Sequence, residues 1–99
     1  MTRDELQAFF ERREIEARRI PLDVLERARK VVERVEGGES YMTFHGKRLR
    51  ANRRRVSIPL GRKWRILADD LGDRLRIRAV MSHIIPFGDQ TYNASFNIV

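Results

Sequence analysis

The side chains that could do chemistry in this chain are those of arginine, lysine, histidine and tyrosine. The chain has no cysteine, and its two histidines are His45 and His83, so neither thiol catalysis nor a metal site is expected. Cleavage of RNA needs neither, because fixed guanidinium groups can stabilise the phosphorane charge while a histidine or tyrosine transfers protons. The residue types therefore permit metal-independent phosphoryl chemistry, although any basic domain contains them.

The basic residues are concentrated in one part of the sequence. Residues 47–78 contain twelve lysines and arginines against three aspartates, whereas residues 1–43 contain nine basic and ten acidic residues. This segregation, in a chain of net charge +7, favours a polyanionic partner such as RNA or DNA. No membrane partner is expected, because no apolar run approaches the roughly 18–20 residues of a spanning helix. No small-molecule cofactor is expected either, since no glycine-rich phosphate loop opens a helix.

Two amphipathic helices are predicted in the N-terminal third. Thr2 and Glu5 have the spacing of a capping box, and apolar residues recur at roughly helical intervals as far as Ala17, which predicts a helix over 3–19. Pro21 suits the first turn of a second helix, which is predicted over 21–36 and ended by a left-handed cap at Gly37-Gly38. The two helices form an antiparallel hairpin.

The apolar period changes from helical to alternating after these glycines. Alternating runs at 55–60, 64–69 and 74–81 are separated by the turn sequences at 59–62 and 70–73, which predicts an antiparallel meander within 47–83. Alternation in the third run places Ala79 and Met81 on the apolar face and Val80 on the polar face. The polar face is expected to display Arg55, Arg65, Arg74, Arg76 and Arg78.

These elements predict a single α+β domain over residues 1–99. The apolar face of a three- to four-stranded antiparallel sheet must be covered, and the N-terminal helical hairpin at 3–36 carries the matching apolar stripes. Residues 41–44 are expected to add a short strand or simply to connect. The C-terminal segment 84–99 combines a loop sequence with a final alternating run, which suggests a last strand.

The order of helical hairpin, basic connection and meander resembles the RelE/ParE superfamily of toxins from bacterial type II toxin–antitoxin systems. Residues 45–49, H-G-K-R-L, are similar to the family's G-K-x-L entry to the sheet, and residues 56–67, V-S-I-P-L-G-R-K-W-R-I-L, are similar to its R-v-G-x-Y-R-v-i-Y strand pair. Residues 79–83, A-V-M-S-H, are similar to the closing strand, v-x-x-v-x-H/K-R, and Tyr92-Asn93 looks like the terminal V-Y position. The first strand of the family has no counterpart in this sequence.

The resemblance implies roles for individual residues. Arg65 would contact the scissile phosphate, Arg55 is a looser match to the preceding basic position, and His83 stands in place of a terminal-strand basic residue. Tyr92 would handle the proton of the 2′-hydroxyl group. Trp64 falls on the apolar face, where core packing is favoured over base stacking. The expected RNA-binding residues are Lys47, Arg48, Arg50, Arg53, Arg54, Arg62, Lys63, Arg76 and Arg78.

As a whole, the resemblance implies a toxin that cleaves mRNA at the ribosome without a metal and is neutralised by a cognate antitoxin. Two alternatives stay open. The ParE branch of the same superfamily inhibits DNA gyrase, and a non-catalytic RNA- or DNA-binding module could use the same sheet. The absence of cysteine and of an N-terminal apolar segment favours a cytoplasmic location.

Overall fold

Two helices and a four-stranded sheet make up residues 1–82, the part of the chain that the structure describes. In this computed structural model the helices are α1 (Arg3–Arg12) and α2 (Leu22–Glu36), and a 3₁₀ turn follows at Tyr41–Phe44. The antiparallel strands are β1 (Lys47–Arg48), β2 (Arg55–Leu60), β3 (Trp64–Asp70) and β4 (Leu75–Ser82), in the sheet order β1-β2-β3-β4. The predicted α+β class and meander are confirmed, whereas segment 84–99 lies outside the described residues.

Helix α1 begins as predicted but ends at Arg12 rather than at residue 19. Its capping box is formed, because Thr2 Oγ1 accepts from the backbone N–H of Glu5 at 3.1 Å and Thr2 N donates to Glu5 Oε1 at 2.8 Å. The helix stops because Glu14 adopts a left-handed conformation, with φ of 56°, which an α-helix of L-residues cannot continue. The predicted extent of the first helix is therefore wrong.

Residues 14–19, here named the edge strap, run beside β4 instead of continuing the helix. Glu16 N donates to the carbonyl of Arg78 at 3.0 Å, and the carbonyl of Glu16 accepts from Val80 N at 2.7 Å. These two hydrogen bonds form a parallel bridge. Ile15 and Ala17 are buried while Glu16 is exposed. The apolar period in the strap is therefore two, as in a strand, rather than 3.6.

Helix α2 follows the prediction closely. Pro21 is its N-cap, and its buried stripe consists of Val24, Leu25, Ala28 and Val32. The helix ends at Glu36 with Gly37 as its C-cap. Gly38 follows with a φ of 105°, in the left-handed region, and Glu39 N donates to the carbonyl of Arg34 at 3.0 Å across that turn. No helix within residues 1–82 is long and apolar enough to cross a membrane.

A β-bulge decides which residues of β4 face the helices. Leu67 pairs with Ala79 and Ala68 pairs with Ile77, so Arg78 is an extra residue and the alternation of β4 shifts by one. Val80 is consequently in the core with 3% of its surface exposed. The predicted inward placement of Ala79 and Met81, and the outward placement of Val80, are wrong, because strict alternation contains no bulge.

The core lies between the sheet and the two helices. Trp64 is half-buried and packs against this core, as the alternation of β3 predicts. The largest fully buried side chains come from both layers and are Leu6, Phe10, Leu25, Val32, Val56, Ile58 and Ile66.

The connection into the sheet requires a glycine. Residues 41–44 form a 3₁₀ turn, so they connect the layers and do not form a strand. Gly46 is buried next to this turn, where a Cβ atom would lie 2.8 Å from the carbonyl oxygen of Tyr41 and 3.0 Å from Cγ1 of Ile58. The glycine of the H-G-K-R-L sequence is therefore explained by close packing.

Strand β1 is held in place by an ion pair, named here the loop clamp, between Arg48 and Asp70. Arg48 Nη2 donates to Asp70 Oδ2 at 2.5 Å, and Arg48 Nη1 donates to the carbonyl of Arg53 at 2.8 Å. The other carboxylate oxygen, Oδ1, accepts from Gly72 N at 2.9 Å. The bonds from Gly72 and Arg48 lower the pKa of Asp70, and the same ion pair raises the pKa of Arg48. The clamp joins the end of β1 to the end of β3. Through Arg53 and Gly72 it also connects the β1–β2 loop to the β3–β4 turn.

Substituting Gly46→Ala should destabilise the fold. The added methyl group would overlap a backbone carbonyl that cannot move aside freely, so we expect a loss of about 1–3 kcal/mol in the free energy of unfolding. Gly37→Ala is the matched control, because φ is −79° there and the nearest atoms lie at 3.4 Å. Urea denaturation of both variants measures the difference, and equal stabilities would contradict the packing account.

Substituting Asp70→Asn should reduce the sensitivity of the fold to acid. The pKa of an unfolded aspartate is about 3.9 and that of folded Asp70 is lower. Ionised Asp70 therefore stabilises the fold at pH values above its unfolded-state pKa, and this stabilisation is lost as the pH falls through its folded-state pKa. Urea midpoints measured from about pH 7 to about pH 2 should decline less steeply in Asp70→Asn than in the wild type. A decline in Asp70→Asn as steep as that of the wild type would contradict the stabilising role of the ion pair.

Candidate functional site

The sheet face that points away from the helices carries the candidate site and is named here the outer face. It follows from the register of the strands. Arg78, the bulge residue, reaches the same face through an ion pair with Asp69. The paired outer-face residues are Arg55, Ser57 and Pro59 of β2, Arg65, Leu67 and Asp69 of β3, and Arg76, Ala79 and Met81 of β4.

Arg65 is a pre-positioned cation on this face. Its Nη1 atom donates to Ser57 Oγ at 2.7 Å, and Ser57 is itself only 2% exposed. A guanidinium presents five N–H donors in a rigid fork, so one bond to a buried hydroxyl group fixes the direction of the whole group. Little side-chain freedom remains to be lost when such a group binds an anion. The alternation of β3 predicts this outward position.

Arg55 is on the outer face as predicted, but it is not a solvated cation. Only 5% of its surface is exposed, and its Nε atom lies 3.3 Å from Asp69 Oδ1. The second carboxylate oxygen, Oδ2, lies 3.5 Å from Nε of Arg78. Asp69 therefore bridges two arginines and neutralises part of their charge, an arrangement that charge counting along the sequence does not reveal.

The two predicted catalytic arginines of the sheet are apart along the strands. Arg55 pairs with Asp69, and Arg65 pairs with Pro59. Four residues of strand separate these positions, which corresponds to about 13 Å between Cα atoms. The bond from Arg65 Nη1 to Ser57 Oγ directs the Arg65 side chain along the sheet toward the end that carries Arg55. The face can offer cations to one extended polyanion.

An apolar cluster lies between these cations and was not predicted. It consists of Leu67, which is 5% exposed, with Leu49, Ala79 and Met81 packed against it. One signal pointed to it in the sequence, because Leu67 occupies an outward position in the alternation of β3. The other part is tertiary, because the bulge at Arg78 brings Ala79 and Met81 to the same face. The centre of the outer face is therefore apolar, although the region as a whole is strongly basic.

The remaining predicted RNA-binding residues are divided between the two ends of the sheet. Arg50, Arg53 and Arg54 are exposed in the loop between β1 and β2, and Arg48 at the same end is paired with Asp70. Arg62 and Lys63 are exposed in the turn between β2 and β3, at the opposite end. Lys47 in β1 and Arg76 in β4 are also exposed. Cations that lie close together in the sequence are thus divided into two groups, one at each end of the sheet.

Two predicted site residues, His83 and Tyr92, lie outside the described residues. Strand β4 ends at Ser82, which pairs with Trp64 and directly precedes His83 in the sequence. The other histidine, His45, is exposed at the end of the 3₁₀ turn with φ of 64°. Within residues 1–82, no group of three or more histidine, aspartate or glutamate side chains is arranged to hold a metal ion.

Comparison with known proteins identifies the family. A family model described as the ParE-like toxin domain matches residues 22–86, from the start of α2 past the end of β4. Searches of curated proteins and of solved structures gave no match. The matched segment contains the whole described sheet and covers well over half of the chain. The resemblance to RelE/ParE toxins is therefore confirmed: the chain belongs to the ParE-like toxin domain family, whose members are the toxins of toxin–antitoxin pairs and have a cognate antitoxin as partner.

Proposed function

We propose that this toxin is a metal-independent endoribonuclease that cleaves mRNA at the ribosome and so inhibits translation. The observation that carries the proposal is Arg65, a guanidinium group fixed by Ser57 on the outer face. A fixed cation of this kind stabilises charge that develops in the transition state without having to reorganise. The reaction class rests on the resemblance to the RNA-cleaving members of the superfamily, and the residue types available permit it, because phosphodiester cleavage by the 2′-hydroxyl needs only charge stabilisation and proton transfer.

In the proposed reaction, the 2′-oxygen of RNA attacks the adjacent phosphorus and the bond to the 5′-oxygen breaks. The attacking hydroxyl group loses its proton to a base, and the leaving 5′-oxygen gains a proton from an acid. Arg65 binds the equatorial phosphate oxygens bidentately as negative charge accumulates. Tyr92 and His83 are the proposed proton-transfer groups, and Arg55 is the proposed second arginine, with its orientation held by Asp69.

The two groups of exposed cations are the proposed anchors for the RNA backbone. Arg53 and Arg54 at one end and Arg62 and Lys63 at the other flank the outer face, so a single strand crossing the sheet would contact both. Phosphate contacts of this kind position a nucleic acid without reading its sequence.

Inhibition of DNA gyrase is the second candidate function. Asp69 partly neutralises Arg55 and Arg78, which weakens the case for a multi-arginine catalytic centre, and the matching family is described as ParE-like. A gyrase inhibitor needs a binding surface rather than a proton-transfer pair. The apolar cluster of the outer face is suited to a protein surface as well as to nucleotide bases.

Substituting Arg65→Ala should abolish toxicity while the fold persists. Induced expression of the wild-type toxin without its antitoxin should arrest growth, and mRNA from the arrested cells should carry cuts. Removing one pre-positioned charge-stabilising group should lower the cleavage rate about 10²–10³-fold. Arg12→Ala, an exposed arginine on α1, is the control and should remain toxic. Circular dichroism checks that the Arg65→Ala variant is folded.

Primer extension on cellular mRNA and a gyrase supercoiling assay separate the two candidates. Cuts in mRNA that disappear in Arg65→Ala support the endoribonuclease. Inhibition of supercoiling with intact mRNA would refute it in favour of gyrase inhibition. If the protein binds RNA but does not cleave it, inhibit gyrase or arrest growth, then the result would favour a non-catalytic RNA-binding module.

Substituting Arg53→Ala together with Arg54→Ala should weaken RNA binding mainly through electrostatics. If each side chain neutralises one phosphate, the negative slope of log K against log salt should decrease in magnitude by about 0.7 for each phosphate of single-stranded RNA that is no longer neutralised. Fluorescence anisotropy at several salt concentrations measures that slope. The control is Arg18→Ala together with Arg19→Ala in the edge strap, which should leave the slope unchanged.

A further inference from the structure

The end of the outer face that lies farthest from Arg65 contains a cleft lined by both arginines and aspartates. The cleft has a volume of about 510 Å³ and is bounded by the β1–β2 loop, the start of β2 and the end of β3. Arg54, Arg55 and Asp69 are part of its lining. Asp69 follows Arg65 by four residues in β3, which corresponds to about 13 Å along the strand. The cleft is therefore separate from the position of the scissile phosphate at Arg65.

The two aspartates of this cleft are held differently. Asp70 is fixed by the loop clamp, with one oxygen 2.5 Å from Arg48 Nη2 and the other bonded to a backbone amide. Asp69 lies farther from its arginines, at 3.3 Å from Arg55 Nε and 3.5 Å from Arg78 Nε. Hydrogen bonds between charged groups of this kind are usually about 2.7–2.9 Å long. Both of these contacts of Asp69 are therefore loose.

Asp69 is surrounded by cations. Within residues 1–82 it is the one acidic residue at an outward-facing strand position. Arg55 lies opposite Asp69 on β2, and Arg76, which is exposed, lies opposite it on β4. Arg78 approaches from the bulge with 41% of its side chain exposed. One carboxylate thus lies among three arginines, and the local charge remains positive.

A phosphate group would make the same kind of contact as this carboxylate. Both are anions whose oxygen atoms accept hydrogen bonds from guanidinium groups. An RNA strand that is bound at Arg65 and continues along the sheet to Arg54 passes Asp69, whose charge has the same sign as that of the phosphates. The carboxylate and a phosphate therefore compete for the nearby guanidinium groups, and their repulsion opposes binding at this end.

We propose that Asp69 is an internal competitor for phosphate that limits how many phosphates of an RNA strand the outer face can hold. Arg76 and Arg78 form a second phosphate subsite, and the carboxylate of Asp69 takes the place of the phosphate there. The inference rests on the proposed binding of RNA across the outer face. Its consequence is that the strand is held firmly at Arg65 and weakly at the opposite end, so the toxin does not retain every polyanion that it meets.

Substituting Asp69→Asn tests the competition. The probe is a single-stranded DNA oligonucleotide, which has a phosphate backbone but lacks the 2′-hydroxyl group, so the proposed reaction cannot cleave it. Its affinity at low salt should rise roughly fivefold, and the negative slope of log K against log salt should increase in magnitude by about 0.7 for one additional neutralised phosphate. Fluorescence anisotropy at several salt concentrations measures both quantities.

Glu33→Gln is the matched control. It also removes one carboxylate that is paired with an arginine, Arg29, but on α2, so it should leave the affinity within about twofold. An affinity of Asp69→Asn no higher than that of the wild type, including failure of both to bind, would overturn the proposal. Weaker binding by Asp69→Asn would show instead that Asp69 serves only to orient Arg55.

A double-mutant cycle with Arg78 locates the competition. Arg78→Gln should weaken binding at least about threefold more in the Asp69→Asn background than in the wild-type background, because the carboxylate no longer engages that guanidinium group. Equal losses in the two backgrounds would contradict the subsite. Circular dichroism checks the fold of each variant. Asp69→Ser removes the carboxylate with a smaller side chain and should show the same gain in affinity as Asp69→Asn.

The uncleaved probe keeps this test separate from that of the proposed enzyme. Tighter binding by Asp69→Asn, together with intact mRNA in cells that express the wild type, would support the subsite and refute the endoribonuclease. Cuts in mRNA by the wild type, together with unchanged binding by Asp69→Asn, would support the endoribonuclease and refute the subsite.

Discussion

The arrangement of the sheet depends on one extra residue in β4. Because Arg78 is accommodated as a bulge opposite Leu67, the strand can send both Ile77 and Val80 toward the helices although they are three residues apart. The same shift brings Ala79 and Met81 to the outer face. A regular strand would place these two residues in the core and expose Val80. The apolar cluster and the position of the arginine that reaches Asp69 both follow from this bulge.

Local signals in the sequence were sufficient for much of the fold. The capping box of Thr2 and Glu5 and the turn at Gly38 involve only neighbouring residues, so the ends they define could be predicted. The end of α1 could not, because Ile15 and Ala17 are compatible with both a helical and an alternating pattern. Their conformation is decided by hydrogen bonds between Glu16 and β4, more than sixty residues later in the chain. The bulge is equally non-local, since it depends on how β4 meets β3.

In the candidate site, too, features set by neighbouring residues could be predicted and features set by distant residues could not. Alternation in β3 is regular along the strand, because the extra residue lies in β4, so the outward position of Arg65 could be predicted from its neighbours. The environment of Arg55 could not, because its partner Asp69 lies directly opposite in a register that the β2–β3 turn determines. Counting charges also could not show that the cations collect in loops at opposite ends of the sheet. Pairing and loop placement are tertiary properties, and they decide which cations remain available.

The two edges of the sheet have unequal capacity for growth. β1 contributes only two residues, Lys47 and Arg48, both exposed and cationic. Two copies meeting at that edge would bring like charges together, a common device by which proteins prevent edge-to-edge association. Propagation of a sheet into a fibre requires an open edge on each side, and residues 1–82 offer one side only. The short, cationic first strand therefore disfavours the addition of a second copy at its side of the sheet.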